Sequence, residues 1–270
     1  FTHTLTSQHP MSSLTPAVKT ILFINVALFV AQHFGGLDLV SILGLRYVGS
    51  SYFRPYQFFT HLFVHASFAH LFTNMFSLFT FGPVLEHTLN ARKFTALYIC
   101  AGLGAAALYA GIQALELSRW EAWYHHYLAN PTPDDFEVYL SHCSQHTQHV
   151  FYYFKRAFFE HADDLAYIAR SKAIVQQLYT LKADIPVVGA SGAIFGLRMA
   201  FAMLFPNAAL FVYFIPIPVK AKYFMAFYTL YELYAGVQNN PASNVAHFAH
   251  VGGVLFGYLF IRWWKQQAKW

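Results

Sequence analysis

The sequence predicts an all-α polytopic membrane protein, a bundle of six transmembrane helices with a helical extracytoplasmic insertion between the third and fourth. Three observations predict it. Of the 270 residues, 57% are hydrophobic, 29 are Phe and only 11% are charged, too apolar a balance for a soluble domain of this size. The apolar residues collect in runs long enough to cross a bilayer core, which takes about 20 helical residues. Between two such groups of runs, residues 112–184 hold nine of the twelve acidic residues and six of the fifteen histidines, a composition suited to water. The net charge of +5 does not indicate nucleic acid, because no basic cluster interleaves with aromatic residues. Cys100 and Cys143 stand far apart in different kinds of segment and imply neither a disulfide framework nor a zinc site.

Residues 1–16 form an N-terminal leader, expected to be disordered or cytoplasmic; residues 1–10 precede Met11 and have no periodicity. No cleavable signal peptide is expected, since the first apolar run is long enough to span. Helices 1–3 occupy residues 17–111. The first span, Ala17 to Phe34, has Pro16 before it and Gly35-Gly36 after it. Leu37 to Gln57 reads as an ordered loop in the interface. The second span, Phe58 to Leu85, carries His61, His65, His70 and Asn74, polar groups that at membrane depth must face a protein interior or a water-filled cavity. His70 and Asn74, four apart, share one helical face. The third span is Phe94 to Ala110.

In the insertion, residues 112–184, a break at Asn130 to Pro133 is followed by a helix start: Thr132 as a capping hydroxyl, Pro133 in the first turn and Asp134-Asp135 at the positive helix end. Phe151, Phe154, Phe158, Leu165, Ile168, Val175 and Leu178 recur at helical spacing, which predicts amphipathic helix. Trp120, Trp123, Tyr124 and Tyr127 suit an interfacial aromatic belt, and the insertion is expected to rest as a cap on the membrane surface. Helices 4–6 occupy residues 185–264: Ser191 to Phe205, then Tyr223 to Val237 after the connection Ile215-Pro216-Ile217-Pro218, then Ala246 to Trp264 after a loop over Gln238 to Asn244. Residues 265–270 form a basic tail. With the N-terminus cytoplasmic, Lys19, Arg92, Lys93, Lys220, Lys222, Arg262, Lys265 and Lys269 all fall inside, and the acidic insertion falls outside.

That topology brings four polar residues to one leaflet. Ser191 lies at the outer end of the fourth span, His250 about one turn into the sixth, and His70 and Asn74 in the outer half of the second. Gly189-Ala190-Ser191-Gly192 has two readings. Gly192 and Gly196 form a close-packing GxxxG pair, and Ser191 among small residues is also a candidate nucleophile. A nucleophile needs a base. Gly253 and Gly257, three and seven residues after His250 on the histidine's own face, let the sixth helix approach the fourth closely enough for an imidazole to reach the hydroxyl. His247, one turn earlier, is the competing base. Phe195 shares the face of Ser191 and either stacks on the histidine or packs in the core. Glu232 in the fifth span and Glu86 at the cytoplasmic end of the second do not suit a third triad position, so a serine-histidine dyad is expected. His70, Asn74 and the Ser191 N–H are the candidate donors to an oxyanion.

These residues resemble the rhomboid intramembrane serine proteases. The resemblance is carried by the run Phe59 to Met75 with His61, His65, His70 and Asn74, by Gly82-Pro83-Val84-Leu85-Glu86, by Gly189 to Gly196 around Ser191, and by Ala249-His250-Val251-Gly252-Gly253 with Gly257. It implies a rhomboid six-helix bundle, Ser191 as nucleophile, His250 as general base, and His70 and Asn74 as oxyanion-stabilising side chains. It further implies cleavage of single-pass transmembrane proteins within the lipid bilayer near its outer face, with no cofactor, no metal and no ATP. The expected location is a bacterial inner membrane with both termini cytoplasmic. Two features depart from the family pattern. Tyr56-Gln57 stands where many relatives carry Trp-Arg, and residues 112–184 replace a short connection.

Other readings remain. A rhomboid-like pseudoprotease would bind or escort membrane clients, but such relatives typically lack the serine or the histidine. A small-solute transporter predicts internal repeats or broken helices, which the sequence does not show. In the insertion, His142, His146 and His149 on one helical face with Cys143 adjacent permit a metal reading, against which exposed histidines on a solvated helix need no metal.

Overall fold

The computed structural model describes residues 14–211, 218–238 and 246–267. The predicted connection at 215–217, the loop within 239–245 and the leader before residue 14 lie outside the described residues. The chain is mostly helical: α1 (Pro16–Phe34), α2 (Leu39–Leu43), α3 (Gln57–Thr60) running into a 3-10 turn (His61–Phe63), α4 (Phe68–Leu89), α5 (Ala91–Ala129), α6 (Pro133–Ser141), α7 (Gln145–Val150), α8 (Tyr152–Glu160), α9 (Leu165–Asp184), α10 (Ser191–Leu204), α11 (Ala221–Gln238) and α12 (His247–Gln267). Between α10 and α11, β1 (Ala209–Phe211) pairs antiparallel with β2 (Pro218–Lys220), with Leu210 opposite Val219, a hairpin the sequence reading did not predict. Helices α1, α4 and α5 are long and apolar enough to cross a membrane, and α10 is a shorter apolar helix. Large apolar side chains cover outward faces, among them Phe23, Phe72, Phe76, Phe79, Phe227 and Val237. Water would not tolerate such a surface; the protein is an integral membrane protein.

Local chemistry sets the helix ends. Pro16 occupies the first turn of α1, and the carboxylate of Glu86, from the far end of α4, accepts from the Ala17 and Val18 N–H groups at 3.0 Å each and from the Thr15 hydroxyl at 2.5 Å. Glu86 thus does for α1 what a capping side chain would do from its own chain end, and its charge suits the positive end of the helix. Glu86→Ala leaves three donors, two of them on buried residues, unsatisfied and is expected to lower stability by about 3 kcal/mol, with Glu86→Gln less harmful; thermal unfolding in detergent measures both. The second span begins later than predicted. His61–Phe63 is a 3-10 turn, Val64 is extended, and α4 starts at Phe68 under Ser67, whose hydroxyl accepts from the His70 N–H at 3.2 Å.

The stretch predicted as a loop over Leu37 to Gln57 includes α2 and is tied down by Gln57, which is 1% exposed. Its side-chain oxygen accepts from the Arg46 and Arg54 N–H groups at 3.4 and 3.2 Å, and its amide nitrogen donates to the Ile42 and Tyr52 carbonyls at 3.4 and 3.1 Å. Tyr56 adds a bond to the Ile42 carbonyl at 3.3 Å. The departure from the Trp-Arg pattern therefore keeps an anchor of a different chemistry, an amide that serves as both donor and acceptor.

The third span, predicted over Phe94 to Ala110, is part of α5, whose 39 residues continue unbroken to Ala129. At 1.5 Å per residue the helix is about 58 Å long, roughly twice a bilayer core. The lone Gly111 does not stop it; Asn130 and the prolines after it do. Beyond the bundle, the far half of α5 packs with α6, α8 and α9 around Leu117, Trp120, Tyr127, Phe136, Phe158 and Val175. This second core corrects the belt reading. Trp120 and Tyr127 are buried, Tyr124 stacks on Tyr179 and Trp123 stacks on His142 with centroids 3.5 Å apart. The Thr132 cap forms as its residues suggest, accepting from the Asp135 N–H at 3.1 Å. Of the periodic apolar residues, Phe158 and Val175 reach the core while Leu165 stays 80% exposed. The shared-face metal reading falls as well: the helix breaks after Ser141, leaving His142 as its cap and His146 and His149 on the separate α7. Burial pushes the Cys143 thiol up to about 11, so it is a poor metal ligand at neutral pH.

Candidate active site

Three helices, α5, α10 and α12, meet backbone to backbone at the centre of the bundle. A Cβ on Gly253 would overlap the carbonyl oxygen of Gly192, and one on Gly257 would lie 2.5 Å from that of Gly196. On the other side of α10, Cβ atoms on Gly192 and Gly196 would collide with Ala105 and Ala101 of α5. Small residues on all three helices are what allow this approach.

The segment before α10 is held from both sides. Leu45 and Val187 exchange two backbone bonds of 2.8 Å, the Gly189 N–H donates to the His61 carbonyl at 2.9 Å, and the Ala190 N–H points at His65 Nε2 at 3.4 Å. Gly189 has φ +122, and a Cβ there would sit 2.5 Å from the His70 ring, so only glycine fits the turn that delivers the chain to Ser191. His61 and His65, read from sequence only as polar residues facing inward, thus support this loop, and His70 packs against it.

Ser191 opens α10. Its Oγ lies 2.9 Å from Nε2 of His250, on the first turn of α12. Phe195 stacks on the same imidazole, centroids 4.2 Å apart and planes 11° from parallel, and the Arg198 guanidinium lies 5.3 Å from the centre of the Phe195 ring while bonding Ser77. Gly192, Gly253 and Gly257 lie in the helix contact just described. Asn74 is 5% exposed, and its Nδ2 has no hydrogen-bond partner among the described residues. The first N–H groups of α10 have no acceptor inside the helix, the Ser191 N–H among them.

The sequence reading gave Glu232 no place near the histidine; the structure corrects this. Glu232, 3% exposed in α11, accepts through Oε2 from His250 Nδ1 at 3.0 Å and from His247 Nδ1 at 2.7 Å. Helices α11 and α12 run antiparallel side by side, which brings the middle of one level with the first turn of the other. The signal was available: an ionisable residue inside an apolar helix requires a partner. Because a carboxylate only accepts, the proton of His250 sits on Nδ1, and Nε2 is left to accept from the Ser191 hydroxyl. Glu232, His247 and His250 also lie within the 4.8 Å spacing of a three-donor metal set. Nδ1 of each histidine already holds the carboxylate, so the three groups satisfy one another without an ion.

Fold and site together define a class, that of helical integral membrane proteins with a serine hydroxyl bonded to an imidazole at a glycine-built helix contact. The rhomboid domain model matches residues 52–118 and 148–265, and the chain belongs to the rhomboid family. The gap, 119–147, takes in the end of α5, all of α6 and the start of α7. A curated relative, Rhomboid-like protein 11, chloroplastic, from Arabidopsis thaliana, is 32% identical over 85 residues, a match that covers 32% of this chain and 29% of that protein.

Proposed function

We propose that this protein is an intramembrane serine endopeptidase that cleaves transmembrane segments of single-pass membrane proteins near the extracytoplasmic face, through an acyl-enzyme. The observation that carries the reading is the 2.9 Å contact between Ser191 Oγ and His250 Nε2, the separation at which an imidazole takes a hydroxyl proton. As Ser191 Oγ attacks the scissile carbonyl, its proton passes to Nε2. The resulting oxyanion accepts from the Ser191 N–H, Asn74 Nδ2 and His70, with the positive end of α10 adding its field. Nε2 then returns the proton to the departing amine, and water, activated by the same nitrogen, releases the acyl group. An unpaired buried donor such as Asn74 Nδ2 is costly in an idle protein and useful where a charge appears during reaction.

In this reading α1, α4, the first part of α5, α10, α11 and α12 cross the membrane, both termini are cytoplasmic, and the domain built from residues 112–184 stands outside. A pseudoprotease that escorts clients would have no use for an aligned serine and histidine. The test is labelling of the purified full-length protein by a fluorophosphonate probe. Ser191 is expected to carry the adduct and Ser191→Ala to carry none; an unlabelled wild-type protein would favour the client-binding role.

A further inference from the structure

We propose that Glu232 is a third member of this site, a positioning residue that holds His250 in the tautomer able to accept the serine proton and that stabilises the imidazolium formed on attack. The inference rests on the serine-peptidase reading and goes beyond the two-residue arrangement that the family resemblance implies.

Three observations converge on it. The first is the burial of a charge where none is needed for packing. Around Glu232 on α11, Leu230, Tyr231 and Tyr234 are 65%, 51% and 65% exposed, so the buried position of this turn is the carboxylate. Sinking a carboxylate costs several kcal/mol unless it is paired, and an apolar residue of like volume would fill the space without that cost. The second is direction. Ser191 Oγ, His250 Nε2, His250 Nδ1 and Glu232 Oε2 form one hydrogen-bonded chain with end contacts of 2.9 and 3.0 Å, the order in which a carboxylate orients an imidazole toward a hydroxyl. The third is the charge around the ring. His70 of α4 is near enough to interact electrostatically with His250, Arg198 of α10 lies behind the stacked Phe195, and His247 precedes it on α12. Where α5 meets α12, with Gly104 against Phe256 and Ala105 against Gly252, it contributes no charge. Outside residues 112–184 the chain has three acids, Asp38, Glu86 and Glu232; Glu86 caps α1 and Asp38 caps α2. Glu232 is therefore the group that offsets positive charge on His250.

The proton balance is closed. On attack the serine proton moves to Nε2, the Nδ1–H stays on the ring and keeps donating to Glu232, and the carboxylate remains ionised throughout. On collapse Nε2–H passes to the leaving amine. His247, donating to the same oxygen, steadies the carboxylate from its other side.

The experiment compares wild type, Glu232→Gln, Glu232→Asp and Ser191→Ala of the full chain in liposomes, measuring kcat and KM on a transmembrane peptide and the rate of fluorophosphonate labelling. A positioning role predicts that Glu232→Gln lowers kcat and the labelling rate together by about 10²- to 10⁴-fold, with KM within about 2-fold. Glu232→Asp, which restores the charge on a side chain one methylene shorter and so farther from the ring, is expected to recover at least about 10-fold of that loss while staying below wild type. Kcat within about 3-fold of wild type in Glu232→Gln, or a Glu232→Asp variant no better than the amide, would overturn the proposal. Should the amide variant fail to fold, a Glu232→Asp variant with undiminished kcat overturns it, and one with kcat reduced at unchanged KM supports it. An active Ser191→Ala would instead sink the peptidase reading itself, a separate outcome.

Discussion

On the peptidase reading, Ser191→Ala and His250→Ala are each expected to lower kcat/KM for a transmembrane substrate by at least about 10⁴-fold, with the double variant no worse than either alone. The size follows from what is removed. Without Oγ no acyl bond forms, and without Nε2 the hydroxyl attacks with its proton still attached. The two act as one unit, so their losses do not add. On the same reading, oxyanion stabilisation by Asn74, His70 and the α10 N-terminus would survive and is expected to leave a trace above the uncatalysed rate. Stability changes little in Ser191→Ala, because Oγ is small and its partner ring stays stacked on Phe195, whereas His250→Ala loses that stack and one partner of the buried Glu232 and is expected to unfold at a lower temperature. Turnover on a labelled transmembrane peptide, alongside thermal unfolding of each variant, checks both halves; additive losses in the double variant would show that the two residues do not cooperate.

Gly253→Ala is the second large effect. Its new Cβ would meet main chain, the Gly192 carbonyl, and main chain on a packed helix cannot rotate away as a side chain would. Helix α12 must move off α10 by about 1 Å, carrying His250, one turn earlier, with it. A displacement of that size costs about 10²-fold in rate, and overpacking costs about 1–3 kcal/mol of stability. Gly111→Ala is the control. It lies on α5 with nothing within 4 Å of a Cβ, and the exchange is expected to be neutral or to stabilise by about 0.5–1 kcal/mol. Peptide turnover and melting temperature of the two variants, measured side by side, separate the helix contact from a general intolerance of alanine.

Much of the core of the site was legible because its chemistry is written in local pattern. Glycines three and seven residues after His250 announce a close helix contact from sequence alone, and a serine within Gly-Ala-Ser-Gly announces a tight approach. Glu232 was not legible in the same way. Its partner sits 18 residues away across a loop, and pairing across two helices depends on how they are rotated about their axes, which periodicity leaves open. The aromatic residues of the insertion were misread for a related reason: Trp120 and Tyr127 suit an interface or a core equally well by composition, and only the fold of α6 to α9 over them decides. The course of α5 was missed because polar composition begins at residue 112 while helix propensity does not change there. A change of solvent was taken for a change of structure.

That unbroken course has a mechanical meaning. The root of α5 is clamped between α10 and α12 at Ala101 and Ala105, and its far half carries the second core. A cantilever clamped in this way has no joint along its length, since bending it near Gly111 would break consecutive backbone bonds. The domain around that second core is therefore set at a fixed angle to the α10–α12 contact, and any relative movement has to be taken up by another element.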